Sequence, residues 1–198
     1  MEKILFITAN QNKLKEVREI LGDKYAVISL SDIDFVEEIP EPFDTIAENS
    51  IHKANYFFEK MKLPCISEDS GLEVEALGGK PSAYSARYAG EIKDDKKNID
   101  KVLSEMASIE NRKAKFVSVI TYKDSNETES FYGEMKGEII DRPRGENGFG
   151  YDPIFRANGM NCTNAELTSE EKNKISHRKK ALALLITYFQ EKETKLNF

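Results

Sequence analysis

An α/β fold with a mixed central sheet flanked by helices is predicted by three features of the sequence. Short apolar runs that read as strands are interleaved with stretches of helical periodicity. Two long strand-like runs late in the chain are joined by a short polar turn, as in an antiparallel hairpin. No repeat, linker or low-complexity tract divides the 198 residues, so positions 1–198 read as one domain. Taken in order, "KILFITA" is a buried strand and "NKLKEVREIL" a helix with Leu14, Val17, Ile20 and Leu21 on one face. "YAVISL" is a second strand, and the acidic, proline-containing "SDIDFVEEIPEPFD" a loop. Thr45 to Met61 is a helix whose Ala47, Ile51, Ala54, Phe58 and Met61 form an apolar stripe. "LPCIS" is strand-like, and "LEVEAL" alternates apolar and acidic residues as a half-exposed strand does. A short helix over "NIDKVLSEM" precedes the hairpin of "AKFVSVITYK", the turn "DSNE" and "TESFYGEMKGEII". The loop "RPRGENGFGYD", the strand "PIF" and the long amphipathic helix "SHRKKALALLITYFQ" complete the chain.

Composition narrows the class of protein. With 39% hydrophobic and 32% charged residues the chain has the make-up of a soluble globular domain long enough to bury a sizeable core. The net charge of −6 offers no global basic field for a nucleic-acid polymer, although a small anion needs only a local cluster of donors. The first residues lack the pattern of a signal peptide, and "ALALLITYF" is far shorter than a membrane span, so a cytoplasmic protein without a membrane partner is expected. Cys65 and Cys162 are far apart and only His52 and His177 carry imidazole, which argues against a structural zinc site.

Four polar groupings stand out. Thr8, Ala9, Asn10, Gln11, Asn12 and Lys13 lie where a strand gives way to a helix; helix-start N–H groups and a lysine can hold phosphate oxygens, while Asn10 or Asn12 can equally serve as a cap. No Walker A loop is present. Thr45 and Glu48 have capping-box spacing, and Asn49 and Lys53 share a helix face. In "ISEDSG" the adjacent Glu68 and Asp69 point to opposite faces of a regular strand, so both can serve one site only if the chain kinks, for which Gly71 offers a place. The same hexapeptide also has the make-up of a surface turn. A carboxylate at a strand end suits Mg²⁺, which takes one or two protein carboxylates and completes its shell with water and phosphate, and it suits activation of water. In the fourth grouping, Phe149 between glycines can stack on a flat ligand, and Lys172, His177 and Arg178 bring donors to the last helix; a tucked-in aromatic and a solvated basic helix start are the plainer alternatives.

Read together, "TANQNKLKEVREIL", "AENSIHKA", "SEDSGLEVEALGGKPSAYSARYAG", "GENGFGYDPIF" and "AELTSEEKNKISHRKKAL" closely resemble the inosine/xanthosine triphosphate pyrophosphatase family, in family order and over nearly the whole chain. The resemblance implies a two-lobed domain with a cleft that hydrolyses non-standard purine nucleoside triphosphates, ITP, dITP and XTP, to the monophosphate and pyrophosphate with Mg²⁺. It implies that Thr8 to Lys13 contact phosphate and sugar, that Lys53 holds the triphosphate, and that Asp69 is the general base and a metal ligand with Ser70 beside it. Phe149, Gly150, Tyr151 and Asp152 match the loop that stacks on and reads the base. Lys172, His177 and Arg178 match the closing contacts, Glu41 falls where the family has a metal-associated glutamate, and family members generally form homodimers. Two departures are visible. Around Glu41 the family pattern Glu-Thr-Gly-x-Thr-Phe is replaced by Glu-Pro-Phe-Asp-Thr-Ile, and the first member of the usual Asp-Asp pair is Glu68. Lys13, Lys53 and Lys172 are expected to stabilise the pyrophosphate leaving group, and Arg178 to donate to the oxygen on purine C6. A Maf-like pyrophosphatase of other modified nucleotides, and a nucleotide-binding protein without catalysis, are the alternatives.

Overall fold

The computed structural model describes residues 2–196. Six strands form one mixed sheet: β1 (Glu2–Ile7), β2 (Tyr25–Ser29), β3 (Cys65–Val74), β4 (Lys113–Lys123), β5 (Thr128–Ile139) and β6 (Phe155–Ala157). Their order is β2-β1-β3-β4-β5-β6; β1 runs parallel to β2 and β3, and the remaining neighbours are antiparallel. Helices α1 (Gln11–Leu21), α2 (Ile46–Met61), α3 (Asp95–Glu105), α4 (Ser169–Ile175) and α5 (His177–Leu196) flank it.

Two of the apolar clusters are the largest among the described residues. Phe6, Leu14, Val17, Ile66, Ile120 and Leu182 pack between β1, α1 and α5. Leu72, Val102, Met106, Phe116, Ile139 and Phe155 pack around α3 and the far part of the hairpin. The charged residues described below lie between them.

Several expectations meet the structure directly. The strand β1, helix α1 and the β4–β5 hairpin form where the patterns place them, and Leu14, Val17 and Leu21 are buried. "LPCIS" and "LEVEAL" prove to be parts of one ten-residue strand, β3, which pairs with β4 at every position from Cys65 to Val74. The stretch "ISEDSG" is therefore strand interior, and Gly71 makes no break in the pairing. Its lack of a side chain serves another purpose: a Cβ there would stand 2.1 Å from the carbonyl oxygen of Ser82, so glycine lets the segment Ser82–Arg87 lie directly on the strand. A similar approach at Gly133 of β5, where a Cβ would meet the His177 carbonyl at 2.0 Å, seats the start of α5 against the sheet.

The apolar stripe expected on α2 is one residue out of phase. The buried face is Ile46, Asn49, Ser50, Lys53, Ala54 and Phe57, while Met61 is exposed. Polar members of that face are buried because each finds partners: Ser50 donates to the Val119 carbonyl at 2.9 Å, and Asn49 both donates to and accepts from the backbone of Phe43 at 2.8 and 2.9 Å. A satisfied polar group carries little penalty for leaving water.

Candidate active site

The site begins with a gap in the sheet. Strand β1 pairs with β3 only through Phe6 with Ile66 and Ile7 with Ser67, then ends, and the chain turns into α1. Beyond Ser67 the edge of β3 on that side is uncovered, and the next two residues are Glu68 and Asp69. Asn10 caps α1, accepting from the N–H groups of Asn12 and Lys13 at 3.0 and 3.3 Å, while Thr8 accepts from the Asn10 N–H at 3.1 Å. The cap reading of Asn10 is thus correct, and the cap itself aims Lys13 across the gap.

No kink is needed for both carboxylates to serve one site. Glu68 and Ser70 face α5, where Arg178 donates to Glu68 Oε1 at 2.9 Å and to Ser70 at 3.3 Å. Asp69 faces α2, where Lys53 Nζ stands 3.6 Å from its Oδ1. Lys13, lying over the bare strand edge, reaches both: 3.8 Å to Glu68 Oε2 and 4.0 Å to Asp69 Oδ1. Opposite faces of a strand meet at its edge.

A chain of alternating charges runs from here through one cleft of about 850 Å³ that Thr8 to Lys13, Glu41, Lys53, Asp69, Phe149 and Arg178 help to line. Glu41 accepts from Lys53 at 2.6 Å, and Lys53 approaches Asp69. Lys13 links Asp69 to Glu68, and Glu68 pairs with Arg178. Arg178 also donates to Glu16, and Lys172 donates to Glu16 at 2.8 Å and to Asp152 at 2.6 Å. Asp152 in turn accepts from the Phe149 N–H at 2.9 Å and from Asn164 at 3.1 Å, fixing the glycine loop; Asp95 at the start of α3 accepts from the Gly150 N–H at 2.8 Å. Lys172 Nζ lies 4.8 Å from the centre of the Phe149 ring, a cation–π distance. Tyr151 is buried, and its hydroxyl donates to the Ser85 carbonyl at 2.8 Å, tying the same loop to the segment on β3.

The two ends of this chain differ in how well their charges are satisfied. Burial alone disfavours an ionised Glu68, but Arg178 and Lys13 overcome it and hold the carboxyl well below the usual range. Burial likewise disfavours a charged Lys172, yet Asp152 and Glu16 outweigh it and raise its pKa. At Asp69 burial prevails over Lys53 and Lys13, and its pKa is raised. Lys13 is lowered by burial despite Glu68 and Asp69. Asp69 Oδ2 and Glu68 Oε2 are buried without a hydrogen-bond partner. His177 stacks on Phe116 with centroids 5.1 Å apart, and burial, aided by Arg178, drives its pKa well below the ordinary value.

Among the described residues no group of three or more His, Cys, Asp or Glu could hold a metal ion. Magnesium does not require one, since one or two carboxylates with water and phosphate suffice. The free oxygen of Asp69 fits that chemistry, and Glu41 stays in the cleft although its loop lacks the glycine and phenylalanine of the family pattern. Asn49 clamping Phe43 is what holds that loop. Glu48 is explained by the cap of α2: its N–H donates to Thr45 at 3.2 Å, and the Thr45 hydroxyl donates back to its carboxylate at 2.6 Å.

Lys172 lines the same cleft. Its ammonium is committed to Glu16, Asp152 and Phe149, and among the described residues no ion pair joins it to Asp69 or Glu41. Glu16 and Asp95 were not legible as site residues. The signal for Glu16 was its place three residues after Lys13, on the inward face of α1 next to Val17.

Comparison with known proteins gives a consistent result. Residues 4–188 match the model of the Ham1 family. A Bacillus subtilis protein named dITP/XTP pyrophosphatase is 48% identical over 189 residues, covering 93% of this chain and 96% of that one. A protein of the same name from Flavobacterium psychrophilum is 44% identical over 188 residues, covering 95% and 99%. Among solved structures, the Ham1 protein of Staphylococcus aureus superposes with a TM-score of 0.88 at 40% identity, over 96% of this chain and all of that chain.

Proposed function

Since the chain belongs to the Ham1 family, we propose that it hydrolyses the non-standard purine nucleoside triphosphates ITP, dITP and XTP between the α- and β-phosphates, releasing a nucleoside monophosphate and pyrophosphate. One observation carries this reading: a buried carboxylate with an unpartnered oxygen, Asp69, stands between two lysines in the cleft whose other end is floored by Phe149. A carboxylate with a free oxygen can hold a metal ion or take a proton from water, and the hydrolysis uses both.

Each part of the site has a task in this reaction. The loop Thr8–Lys13 and Lys53 grip the phosphate chain, and Asp69 orients the attacking water and takes its proton. Charge that gathers on the departing pyrophosphate is met by Lys13 and Lys53. Asp69 and Glu41 would hold Mg²⁺ with the substrate, and the ion would neutralise phosphate charge. Phe149 stacks on the base, with Gly150, Tyr151 and Asp152 shaping the loop beneath it. His177 packs beside Arg178 at the start of α5.

Arg178 reads the base. Three of its five N–H groups are engaged, by Glu68, Glu16 and Ser70, and the Ser70 contact is the longest of those with ordinary geometry. The guanidinium is thus locked in place with donors to spare for the C6 oxygen of hypoxanthine or xanthine. Adenine places an amino group there, and two facing donors leave one buried donor unsatisfied, at a cost of about 1–3 kcal/mol.

The direct test is pyrophosphate release from dITP, XTP, ITP and ATP with and without Mg²⁺. Turnover of the first three should exceed that of ATP by about tenfold or more, and chelation of the metal should abolish it. Release of orthophosphate, or equal turnover of ATP, would refute the assignment, and a preference for modified pyrimidines would move the protein to the Maf-like class. Among the described residues no helix is long and apolar enough to cross a membrane. We further propose a cytoplasmic homodimer, which light scattering of the purified protein would test for mass.

A further inference from the structure

Resting on that reading, we propose that Arg87 is a substrate-binding residue that holds the pyrophosphate end of the triphosphate, exchanging Glu41 for phosphate oxygens when the nucleotide enters. The charge chain supplies the first argument. From Glu41 to Asp152 it contains five carboxylates and four cations, and Arg87 lies at its Glu41 end, with Nη2 3.6 Å from Glu41 Oε2. That end adjoins Lys53 and Asp69, to which the proposed function assigns the phosphates. Lys172 is bound to Glu16 and Asp152, and Lys13 and Lys53 are each shared between carboxylates, so a further cation at this end adds to their hold on the leaving group.

Availability is the second argument. The side chains of Lys13, Lys53, Lys172 and Arg178 are 13%, 10%, 6% and 1% exposed, whereas that of Arg87 is 51% exposed while still lining the cleft. At 3.6 Å its approach to Glu41 is beyond hydrogen-bond range, so the N–H groups of its fork are not consumed. A half-exposed pair of this kind contributes little, and a bidentate contact to phosphate replaces it favourably.

Positioning is the third. The backbone around Arg87 is tied down on both sides although its side chain is half-exposed. Asn98, buried on α3, donates to the Ala86 carbonyl at 3.0 Å and accepts from the Ala89 N–H at 2.7 Å, bracketing Arg87. Ser85 accepts from the Leu72 N–H at 2.9 Å, and the approach at Gly71 keeps the whole segment on β3. A tethered backbone beneath a half-exposed guanidinium suits a ligand contact.

Arg87→Ala and Arg87→Lys test it. Binding of inorganic pyrophosphate and of dIMP in the presence of Mg²⁺ would be measured by titration calorimetry, alongside kcat and KM for dITP. For Arg87→Ala, pyrophosphate should bind about tenfold or more weakly, with KM for dITP rising in step and dIMP binding changed less than about twofold; the lysine variant should recover part of the loss. Pyrophosphate binding within about twofold of wild type would overturn the proposal, as would an equal loss of dIMP binding, which would signal a distorted cleft. A loss carried by Lys93→Ala instead would overturn it and transfer the role to that residue, which also lines the cleft. If wild-type protein fails to hydrolyse dITP, the proposed function falls and this inference with it; if it turns over normally while Arg87→Ala binds pyrophosphate unaltered, only the inference falls.

Discussion

The two ends of the cleft are built on opposite principles. Around Phe149 and Lys172 the ionic contacts of Lys172 are 2.6 and 2.8 Å, and Asp152 has partners on both oxygens. Around Asp69 the ion pairs with Lys13 and Lys53 stretch to 4.0 and 3.6 Å, Asp69 Oδ2 and Glu68 Oε2 have no hydrogen-bond partner, and burial has raised the pKa of Asp69 and lowered that of Lys13, while Asp69 and Glu41 hold Lys53 charged. Satisfied charges make a rigid surface for a flat base; unsatisfied ones store interaction for a ligand that brings its own charge. The difference is the one that the proposed reaction calls for, with shape recognition at one end and chemistry at the other.

Substitutions at each end should therefore fail in different ways. The largest effect is expected for Asp69→Asn, which keeps the size of the side chain and removes the base: kcat should fall by about 10²–10⁴-fold with nucleotide binding largely kept, as single-turnover and binding measurements would show. Near-normal turnover would remove Asp69 from the chemistry. Arg178→Ala should act on the fold as well as on selectivity, because it strands Glu68 and Glu16 in the interior. A loss of about 3–5 kcal/mol in denaturant unfolding is expected, together with weakened discrimination between ITP and ATP. Stability unchanged in this variant would mean that the network around Arg178 is not the rigid frame described.

A smaller effect should follow pH. His177 is buried among Arg178, Lys172, Lys13 and Glu68, and its folded-state pKa lies below the ordinary value of 6.5. As pH falls below about 6.5 the unfolded chain takes up a proton before the folded one does, so stability is full above that pH and is lost below it, by up to about 1.4 kcal/mol per pH unit. Thermal unfolding between about pH 7.5 and 5.5 should show this decline in wild type and less of it in His177→Gln. An equal decline in both would assign it to other groups.

Much of the fold was legible because most elements obey their periodicity, α1 and the hairpin above all. The helix α2 obeys it only in part, since Ala54 of the apolar stripe is buried but Asn49, Ser50 and Lys53 share that face. Periodicity counts greasy side chains, and a helix that lines an active site buries polar ones. The pair Glu68–Asp69 was misread for a related reason. Alternation along a strand forbids one site on one face, but it does not forbid a site at an edge, and the early end of β1 that creates the edge is a tertiary fact. Lys13, Lys53 and Asp69 were identifiable by motif and converge as expected, whereas Glu16 and Asp95 act through partners distant in sequence, Arg178 and Gly150, that no local pattern announces.

The division of labour between the two ends turns on where water attacks. Hydrolysis of dITP in oxygen-18 water, followed by ³¹P spectroscopy of both products, locates that atom. Label in the monophosphate is expected from the proposed reaction, in which Asp69 aims water at the innermost phosphorus while the lysines receive the departing pyrophosphate. Label in the pyrophosphate would contradict this, placing the attack on the next phosphorus and the aspartate on the wrong side of the bond that breaks.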